Sequence, residues 1–490
     1  MASKVDRTGE IDINRKERLR IPRQSVPKQA PAVRVHNFDE VYLGFDEETA
    51  KVEATRCLQC PNLSGCAGGC PLHNDIPRAM WHISRGEFLQ AAAVYRETSN
   101  LPEVCGRVCP QEKLCQGSCV VGKRDVSVYL GKLEYFVADY ERRTVGLSKP
   151  EIAPSSGKRV AVVGSGPAGL AVAEELTKRG HAVTVFEVLP QAGGVMVYGI
   201  PSFKLKKSVI ADKVTYLQDL GVEFVFNTTI GKDKTLDDLT AKEGLAAVFL
   251  GTGAWVPTKL NLPGEDLKGI YMATEYLVRG NLSAEYLPEG MKTKPEAGKH
   301  IAVIGGGDTA MDCVRTARRL QIMSGIADGT VVDYYRRTEK EMPGKAEERT
   351  NAIEEGVEVK FLVAPVKFFG DDDGHVRKME LIRMELGEPD ASGRRRPIEV
   401  KGSNFVVEAD TVICALGYNQ DRLIEKSTPD LKVDKWGCYV VDKQTGATSK
   451  PGVYAGGDNV TGADLVVTAM AAGRRSALAM DAYLKSLGAA

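Results

Sequence analysis

The sequence has no excess of charge of either sign. Lys and Arg together number 65, Asp and Glu together number 65, and the net charge is zero. Because a balanced chain lacks the basic surface that general binding to nucleic acid requires, we expect no nucleic-acid partner. No apolar run approaches the roughly 18 residues that a membrane span requires, so we expect no membrane insertion and a cytoplasmic location.

The region before the first cysteine contains no hydrophobic signal segment, which disfavours an exported protein held by disulfides. Residues 1–36 are instead polar, basic and proline-containing, and we interpret them as a largely solvated arm, with docking to a partner as the alternative. The 490 residues suffice for three or so domains.

Cysteine is concentrated in one stretch: eight of the eleven cysteines lie between residues 57 and 119. They form the groups Cys57-x2-Cys60-x5-Cys66-x3-Cys70 and Cys105-x3-Cys109-x4-Cys115-x3-Cys119. Thiolates at such spacing bind soft metals, and eight of them are about what two [4Fe–4S] clusters require. Two zinc sites and a disulfide framework remain alternatives, although Cys-Pro pairs such as those at Cys70 and Cys109 are typical of ferredoxin cluster motifs.

A different pattern begins near residue 159. The apolar run Arg159–Val163 predicts a buried strand, the loop Gly164-Ser-Gly166-Pro-Ala-Gly169 follows, and a helical stretch comes next. The first glycine permits a tight turn, the second admits a pyrophosphate and the third lets helix and strand pack closely. The next strand ends at Glu187, which is placed to accept hydrogen bonds from a ribose.

A second copy of this pattern starts with the predicted strand at residues 300–304. Its phosphate-binding loop supplies the candidate residues Gly305, Gly307, Asp308, Thr309 and Ala310. The following strand ends in Arg336 and Arg337, which suit the 2′-phosphate of NADP, whereas Asp333 inside that strand leaves NAD open.

The two patterns are nested. Strand-then-glycine crossings near residues 251 and 417, and a late Gly-Asp pair, resemble the glutathione and thioredoxin reductases, in which an NAD(P) domain is inserted into an FAD domain. That resemblance assigns FAD to the first fold, through Gly164, Gly166, Ala168, Gly169, Glu187, Gly194, Gly457 and Asp458. Neither fold contains the redox Cys-x-x-Cys or Cys-x4-Cys pair of those reductases, so we expect electrons to leave through the N-terminal clusters.

From about Phe38 onward the chain resembles the small (β) subunits of NADPH-dependent glutamate synthase. The resemblance rests on Arg56–Cys60, Cys105–Pro110, Val163–Gly169, Tyr198–Lys204, Gly305–Cys313 and Met342–Gly344. The same module is similar to the large subunit of NADH-dependent ferredoxin:NADP oxidoreductase, to sulfide dehydrogenase and to the electron-entry half of dihydropyrimidine dehydrogenase.

The resemblance implies an α/β chain with a helical N-terminal double [4Fe–4S] domain followed by two Rossmann-like dinucleotide-binding domains, the NAD(P) domain inserted in the FAD domain. We place the arm at residues 1–36, the iron–sulfur domain at 37–150, the FAD domain at 151–262 and 418–490, and the NAD(P)H domain at 263–417. The implied ligands are Cys57, Cys60, Cys66 and Cys119 for one cluster, and Cys70, Cys109, Cys115 and Glu134 for the other. Cys105 is then a spare thiol.

The implied function is electron input to glutamate synthase, from NADPH through FAD and the clusters to a large (α) subunit or another electron-accepting flavin or iron–sulfur subunit in a hetero-oligomer. No side chain is required as catalytic acid or base, because the cofactors carry the chemistry. The chain starts Met1-Ala2-Ser3 and shows no amidotransferase nucleophile, so we do not expect it to make glutamate alone. The alternatives are an electron-bifurcating NAD(P)H:ferredoxin oxidoreductase or sulfide dehydrogenase large subunit, and a zinc-stabilised nucleotide-binding protein.

Overall fold

The computed structural model describes residues 14–61, 63–389 and 393–488. Residues 1–13 of the predicted arm therefore lie outside the described residues. The chain folds as a helical N-terminal unit followed by two α/β units, and the predicted fold class is confirmed.

The N-terminal unit consists of short helices packed on one long one. Asp46 caps one of them by accepting a 2.7 Å hydrogen bond from the Thr49 N–H, and Phe88 packs edge-on against Phe136 with ring centroids 5.0 Å apart. The core between the helices also encloses most of the cysteine thiols. The helices span Arg15–Arg18, Pro31–Arg34, Glu47–Thr55, Gly65–Gly68, Ile76–Ser84, Phe88–Arg96, Pro102–Val108 and Leu130–Thr144, with single 3₁₀ turns at Gln111–Lys113 and Val120–Lys123.

Residues 14–36 lie against the folded units through a few basic side chains, while most of the segment is exposed to solvent. The Arg18 guanidinium donates to the Cys57 carbonyl at 2.7 Å, and the buried Arg34 lies 2.7 Å from Glu355. These basic side chains have partners on the folded units, so pairing in the interior replaces the hydration that composition alone predicts.

The first α/β unit contains a five-stranded parallel sheet. In spatial order its strands are Val453–Ala455, Ala247–Leu250, Arg159–Val163, Ala182–Phe186 and Glu223–Val225. The central strand is almost wholly buried, as a parallel strand covered on both faces requires. Its helical segments are Pro167–Lys178, Val195–Tyr198, Lys207–Asp219, Asp238–Lys242, Leu423–Ser427, Asp458–Thr461 and Val466–Ser486.

The second α/β unit repeats the arrangement. Its parallel sheet has the order Ile270–Met272, Thr411–Cys414, His300–Ile304, Thr330–Tyr335 and Glu358–Phe361. Its helices and helical turns are Ala273–Asn281, Ala284–Tyr286, Asp308–Met323, Glu339–Glu341 and Ala346–Glu354. An antiparallel sheet, formed by Val363–Gly370, Val376–Pro389, Arg395–Glu399 and Phe405–Glu408, precedes the return to the first unit.

The chain leaves the first unit and returns to it through a two-stranded ribbon, in which Val256–Pro257 pairs antiparallel with Tyr418–Asn419. The strand Val453–Ala455 then joins the first sheet beside Ala247–Leu250. The second unit is thus inserted within the first, in agreement with the nested pattern of the sequence.

A cluster of buried charges, which we call the junction, joins all three units. Glu355 of the second α/β unit accepts hydrogen bonds from Arg34, Arg315 and Arg319, and the side chains of all four residues are fully buried. The ring of Phe203, from the first α/β unit, lies under the Arg315 and Arg319 guanidinium groups at 4.5 and 4.1 Å. The N-terminal unit and both nucleotide folds therefore meet in a desolvated ionic core.

No helix in the part of the chain that the structure describes is both long enough and apolar enough to cross a membrane.

Candidate nucleotide and iron–sulfur sites

The predicted FAD loop has the geometry that its glycines require. Gly164 adopts a φ of +94°, and a Cβ at Gly164 or Gly169 would collide with a backbone carbonyl. A Cβ at Gly166 would meet no protein atom within 4 Å, so the space beside this residue is open. The open space lies at the N-terminus of the helix Pro167–Lys178, where free N–H groups favour a pyrophosphate.

Glu187 is buried beneath this loop. One carboxylate oxygen accepts the Ser165 N–H at 2.9 Å and the Ser165 hydroxyl, and the other accepts the Leu189 N–H at 2.9 Å. The carboxylate thus braces the loop, and because its two oxygens offer about four acceptor positions, a ribose can still bind to it.

Two further predicted FAD segments come to the same place. A Cβ on Gly194 would lie 2.9 Å from the Gly166 Cα, and one on Gly457 would lie 3.2 Å from the Ala168 Cβ. Burial raises the pKa of Asp458 to about 6. The structure therefore brings all eight predicted FAD residues to one edge of the first sheet.

Asn459 is a residue that sequence reasoning missed at this edge. Its amide donates 2.8 Å to the Leu250 carbonyl and 3.3 Å to the Thr252 hydroxyl, which ties the late Gly-Asp turn to the crossing strand. Its position directly after Asp458 was the only signal available.

The second phosphate-binding loop has the same form and is covered by a neighbouring segment. The Gly344 N–H donates to the Gly306 carbonyl at 3.2 Å, and the Lys345 N–H donates to the Asp308 carboxylate at 2.9 Å. A Cβ on Gly307 would reach only Pro343 within 4.0 Å. Asp308 is thus a capping residue that holds the Met342–Gly344 motif over the loop.

Thr309 and Ala310 open the helix behind this loop. Ala310 is fully buried under Gly305, and Thr309 shares a hydrogen bond with the Tyr418 hydroxyl. Burial raises the pKa of Tyr418 to about 12, so the phenol is neutral at ordinary pH. Sequence reasoning predicted a strand-then-glycine crossing near residue 417 but did not place Tyr418 at the nucleotide loop.

The two arginines that follow the strand Thr330–Tyr335 have different environments. Arg336 is exposed, whereas Arg337 is buried and its Nε donates to the Arg395 carbonyl at 2.8 Å. Only the Arg336 guanidinium is accessible to a ligand in solution. The structure therefore favours Arg336 for a 2′-phosphate and Arg337 for attachment of the antiparallel sheet.

Asp333 lies away from any ribose site. It is fully buried on the face of the sheet that packs against the helix Asp308–Met323, and burial raises the pKa of its carboxyl well above the usual range. Neither carboxyl oxygen has a hydrogen-bond partner. Because the side chain is enclosed in the interior of the sheet, a bound ribose cannot reach it, so the argument for NAD that rested on Asp333 is removed.

The cysteines form two groups in space. Charges on Cys60, Cys66 and Cys119 all raise the pKa of Cys57, which burial brings to about 12. In the other group, burial together with the charges of Glu134 and Cys109 raises the pKa of Cys70 to about 11, and burial with the charges of Glu134, Cys70, Cys109 and Cys66 raises the pKa of Cys115. The residues of each implied ligand set therefore lie within electrostatic reach of one another, and Cys66 of the first set also lies within reach of Cys115 of the second.

Glu134 is the buried carboxyl of the second group. It lies on the helix Leu130–Thr144, its Oε1 has no hydrogen-bond partner, and burial raises its pKa well above the ordinary range. A buried oxygen without a partner is costly, and a metal bond would satisfy it.

Cys105 lies at the edge of the second group. Its thiol shares a hydrogen bond with the Cys109 sulfur, which together with burial raises its pKa well above the usual value. Cys105 is therefore suited to be a protonated thiol that donates a hydrogen bond to the implied ligand Cys109, and not a ligand itself.

The donor chemistry of both groups fits iron–sulfur clusters. Buried thiols do not ionise on their own, and iron would supply the positive charge that the thiolates require. No three His, Cys, Asp or Glu side chains within the described ranges are gathered as a single metal ion would demand. A four-iron cluster is larger than one ion, and each of its protein ligands binds a different iron. The assignment of individual ligands stays a prediction.

Comparison with known proteins adds independent findings. Residues 34–145 match the family described as dihydropyrimidine dehydrogenase domain II, 4Fe–4S cluster, and residues 158–473 match the pyridine nucleotide-disulphide oxidoreductase family. The glutamate synthase [NADPH] small chain of Escherichia coli is 40% identical over 93% of this chain and 96% of its own length. The NADPH-Fe(3+) oxidoreductase subunit beta of Geobacter sulfurreducens is 36% identical over 92% of this chain and 68% of its own.

Among solved structures, FprA of Mycobacterium tuberculosis in complex with NADPH is similar with a TM-score of 0.56 at 22% identity, covering 69% of this chain and 85% of that chain. This likeness confirms the fold of the two nucleotide units.

Proposed function

The chain belongs to the glutamate synthase small-chain family of pyridine nucleotide-disulphide oxidoreductases, and on that premise we propose that it is an electron-input subunit. It takes reducing equivalents from NADPH and delivers them to a glutamate synthase large subunit. When bound, FAD and NADPH supply hydride transfer, and [4Fe–4S] clusters supply one-electron transfer.

One observation carries this proposal. Two phosphate-binding loops of the dinucleotide type and two groups of mostly buried thiols lie on the same chain, joined by a shared ionic core. A protein that only bound nucleotides would have no use for eight cysteines in two groups of soft-metal donors. A protein that only carried clusters would need no second dinucleotide fold.

The chain's own residues bind and position the cofactors. Gly166 and Gly307 admit pyrophosphates to two helix N-termini, while Glu187 holds the first loop from beneath. The Lys204 ammonium donates to Asp312 at 2.8 Å, which joins the segment after the FAD loop to the helix of the NADPH loop. No side-chain acid or base is needed, since orientation is the protein's contribution.

The test is reconstitution under anaerobic conditions with FAD, iron and sulfide. We expect about eight irons per chain, the number in two [4Fe–4S] clusters, and flavin bleaching on addition of NADPH. With a glutamate synthase large subunit, glutamine and 2-oxoglutarate, the pair should form glutamate at the expense of NADPH.

A matched pair of variants shows whether the clusters conduct the electrons. Cys119→Ser should lower both iron content and glutamate formation, whereas Cys438→Ser, in a buried thiol outside the cysteine-rich region, should leave both unchanged. Full glutamate formation by an iron-depleted Cys119→Ser protein would contradict the proposed route.

A second candidate is delivery of the same electrons to a different acceptor. The observation that favours it is the 36% identity to a subunit named for Fe(3+) reduction, over 92% of this chain. Assay of the reconstituted chain with its co-purified partner, comparing ferric citrate with glutamine and 2-oxoglutarate, distinguishes the two candidates.

A further inference from the structure

Tyr95 occupies an unusual position between the two thiol groups. It lies on the helix Phe88–Arg96 and is almost completely buried in the core that contains the cysteines. Its hydroxyl has no hydrogen-bond partner among protein atoms. Buried hydroxyls without partners are rare because their desolvation is not compensated, so this group requires a specific explanation.

The surroundings of this hydroxyl are the candidate ligands. Charges on Glu134, Cys115, Cys66 and Cys70 each act on the Tyr95 phenol and, together with burial, raise its pKa well above the usual value. Three of these residues belong to the second ligand set, and Cys66 belongs to the first. The Tyr95 phenol therefore lies within electrostatic reach of both groups, and of more residues of the second group than of the first.

Another buried oxygen of this region without a hydrogen-bond partner is the Glu134 Oε1, on the helix packed against that of Tyr95. Because the Glu134 charge acts on the Tyr95 phenol, one group bound beside both side chains would satisfy both. A cluster offers a metal site for the carboxylate and sulfur acceptors for the hydroxyl.

We propose that the Tyr95 hydroxyl donates a hydrogen bond to the ligand shell of the cluster held by Cys70, Cys109, Cys115 and Glu134, and thereby raises its reduction potential. The inference rests on the proposed function, since it needs that cluster to be present. Reduction adds negative charge to the cluster, and a donor stabilises the reduced state more than the oxidised one. Tyr95 acts as a positioning residue. By raising one reduction potential it sets the order in which the two clusters accept electrons.

The experiment is an EPR-monitored redox titration of the reconstituted chain. Tyr95→Phe removes only the hydroxyl, so iron content should stay at the wild-type value while the midpoint potential of the second cluster shifts to a more negative value. The first cluster should shift less, because only Cys66 of its set faces Tyr95. Tyr140→Phe is the matched control, since it removes a half-buried hydroxyl in the same unit.

A second measurement detects the bond directly. In D₂O, electron–nuclear double resonance of the reduced wild-type protein should show an exchangeable deuteron coupled to the cluster, and Tyr95→Phe should lack it. Equal midpoint potentials in wild type and Tyr95→Phe would overturn the inference. Loss of iron in Tyr95→Phe would overturn it too, because a hydroxyl that only donates a hydrogen bond to a cluster is not required to assemble that cluster. Absence of iron from the wild type would instead overturn the proposed function.

Discussion

The two arginines after the strand Thr330–Tyr335 give a sharp test of cofactor preference. Arg336 is exposed at the strand end, while Arg337 is buried and donates to the Arg395 carbonyl. We expect Arg336→Ala to weaken NADPH binding selectively, because it removes a charge-assisted hydrogen bond to the 2′-phosphate.

The magnitude follows from the environment of Arg336. A hydrogen bond to a charged group contributes about 1.5 to 3 kcal/mol, which corresponds to a roughly tenfold to 150-fold change in affinity. Because the side chain is exposed and screened by solvent, the lower end applies, and we expect a loss of about tenfold. The loss should shrink as salt is added.

The assay compares two ligands that differ only in the tested group. Isothermal titration with 2′-phospho-AMP and AMP reports the 2′-phosphate contribution, and Arg336→Ala should reduce the affinity for the first ligand alone. Arg337→Ala is the neighbouring control, and it should lower thermal stability and weaken both ligands equally, because it leaves the Arg395 carbonyl without this donor. Equal loss of both ligands in Arg336→Ala would refute the assignment of NADPH to this residue.

Three further outcomes can be checked. Cys115→Ser should lose about half of the bound iron by chemical analysis while Cys105→Ser keeps it all, because only the former is an implied ligand. Iron loss in Cys105→Ser together with full iron in Glu134→Ala would instead show that the second cluster is held by four cysteines. Glu355→Gln should lower the free energy of unfolding by about 3 to 5 kcal/mol and Glu354→Gln, partly exposed, by about 0 to 1 kcal/mol, as measured by thermal melting of each variant. Neighbouring Lys and Arg side chains hold the pKa of Glu355 and of Glu174 at about 2, below their ordinary value of 4.5. The stability that these carboxylates contribute above about pH 5 should therefore fall progressively toward pH 2, and less steeply in Glu355→Gln. A pH-independent melting temperature would contradict this.

Several features of the fold were predictable because short-range chemistry determines them. Gly164 and Gly169 occupy positions where a side chain would strike a carbonyl, and such positions leave a fixed spacing in the sequence. The nesting of the second sheet within the first was predicted from the late Gly-Asp pair, because that pair belongs to the FAD fold and the chain must return there after the NAD(P) fold. The two ligand sets came from family resemblance and not from spacing.

Other features depended on long-range packing that no local pattern reveals. Arg34 is as polar as its neighbours in sequence, yet it is buried against Glu355, more than 300 residues away. Arg336 and Arg337 are adjacent and chemically identical, and only the antiparallel sheet at Arg395 separates their roles. Tyr95 belongs to no sequence motif. Its significance comes from the residues that other helices of the same unit place near its hydroxyl.

The junction has a consequence for ligand affinity. A two-stranded ribbon such as the one between the nucleotide units is a natural pivot, and a freely pivoting cleft would lose orientational entropy each time a dinucleotide closed it. Arg315 and Arg319 of the junction pack on Phe203 of the first nucleotide unit, and Lys204 donates to Asp312 across the same boundary, so that the folded chain already restricts that motion. The orientational entropy of the cleft is therefore lost during folding, before the coenzyme binds. Because the cleft is preorganised, more of the free energy of its contacts with the coenzyme contributes to binding affinity.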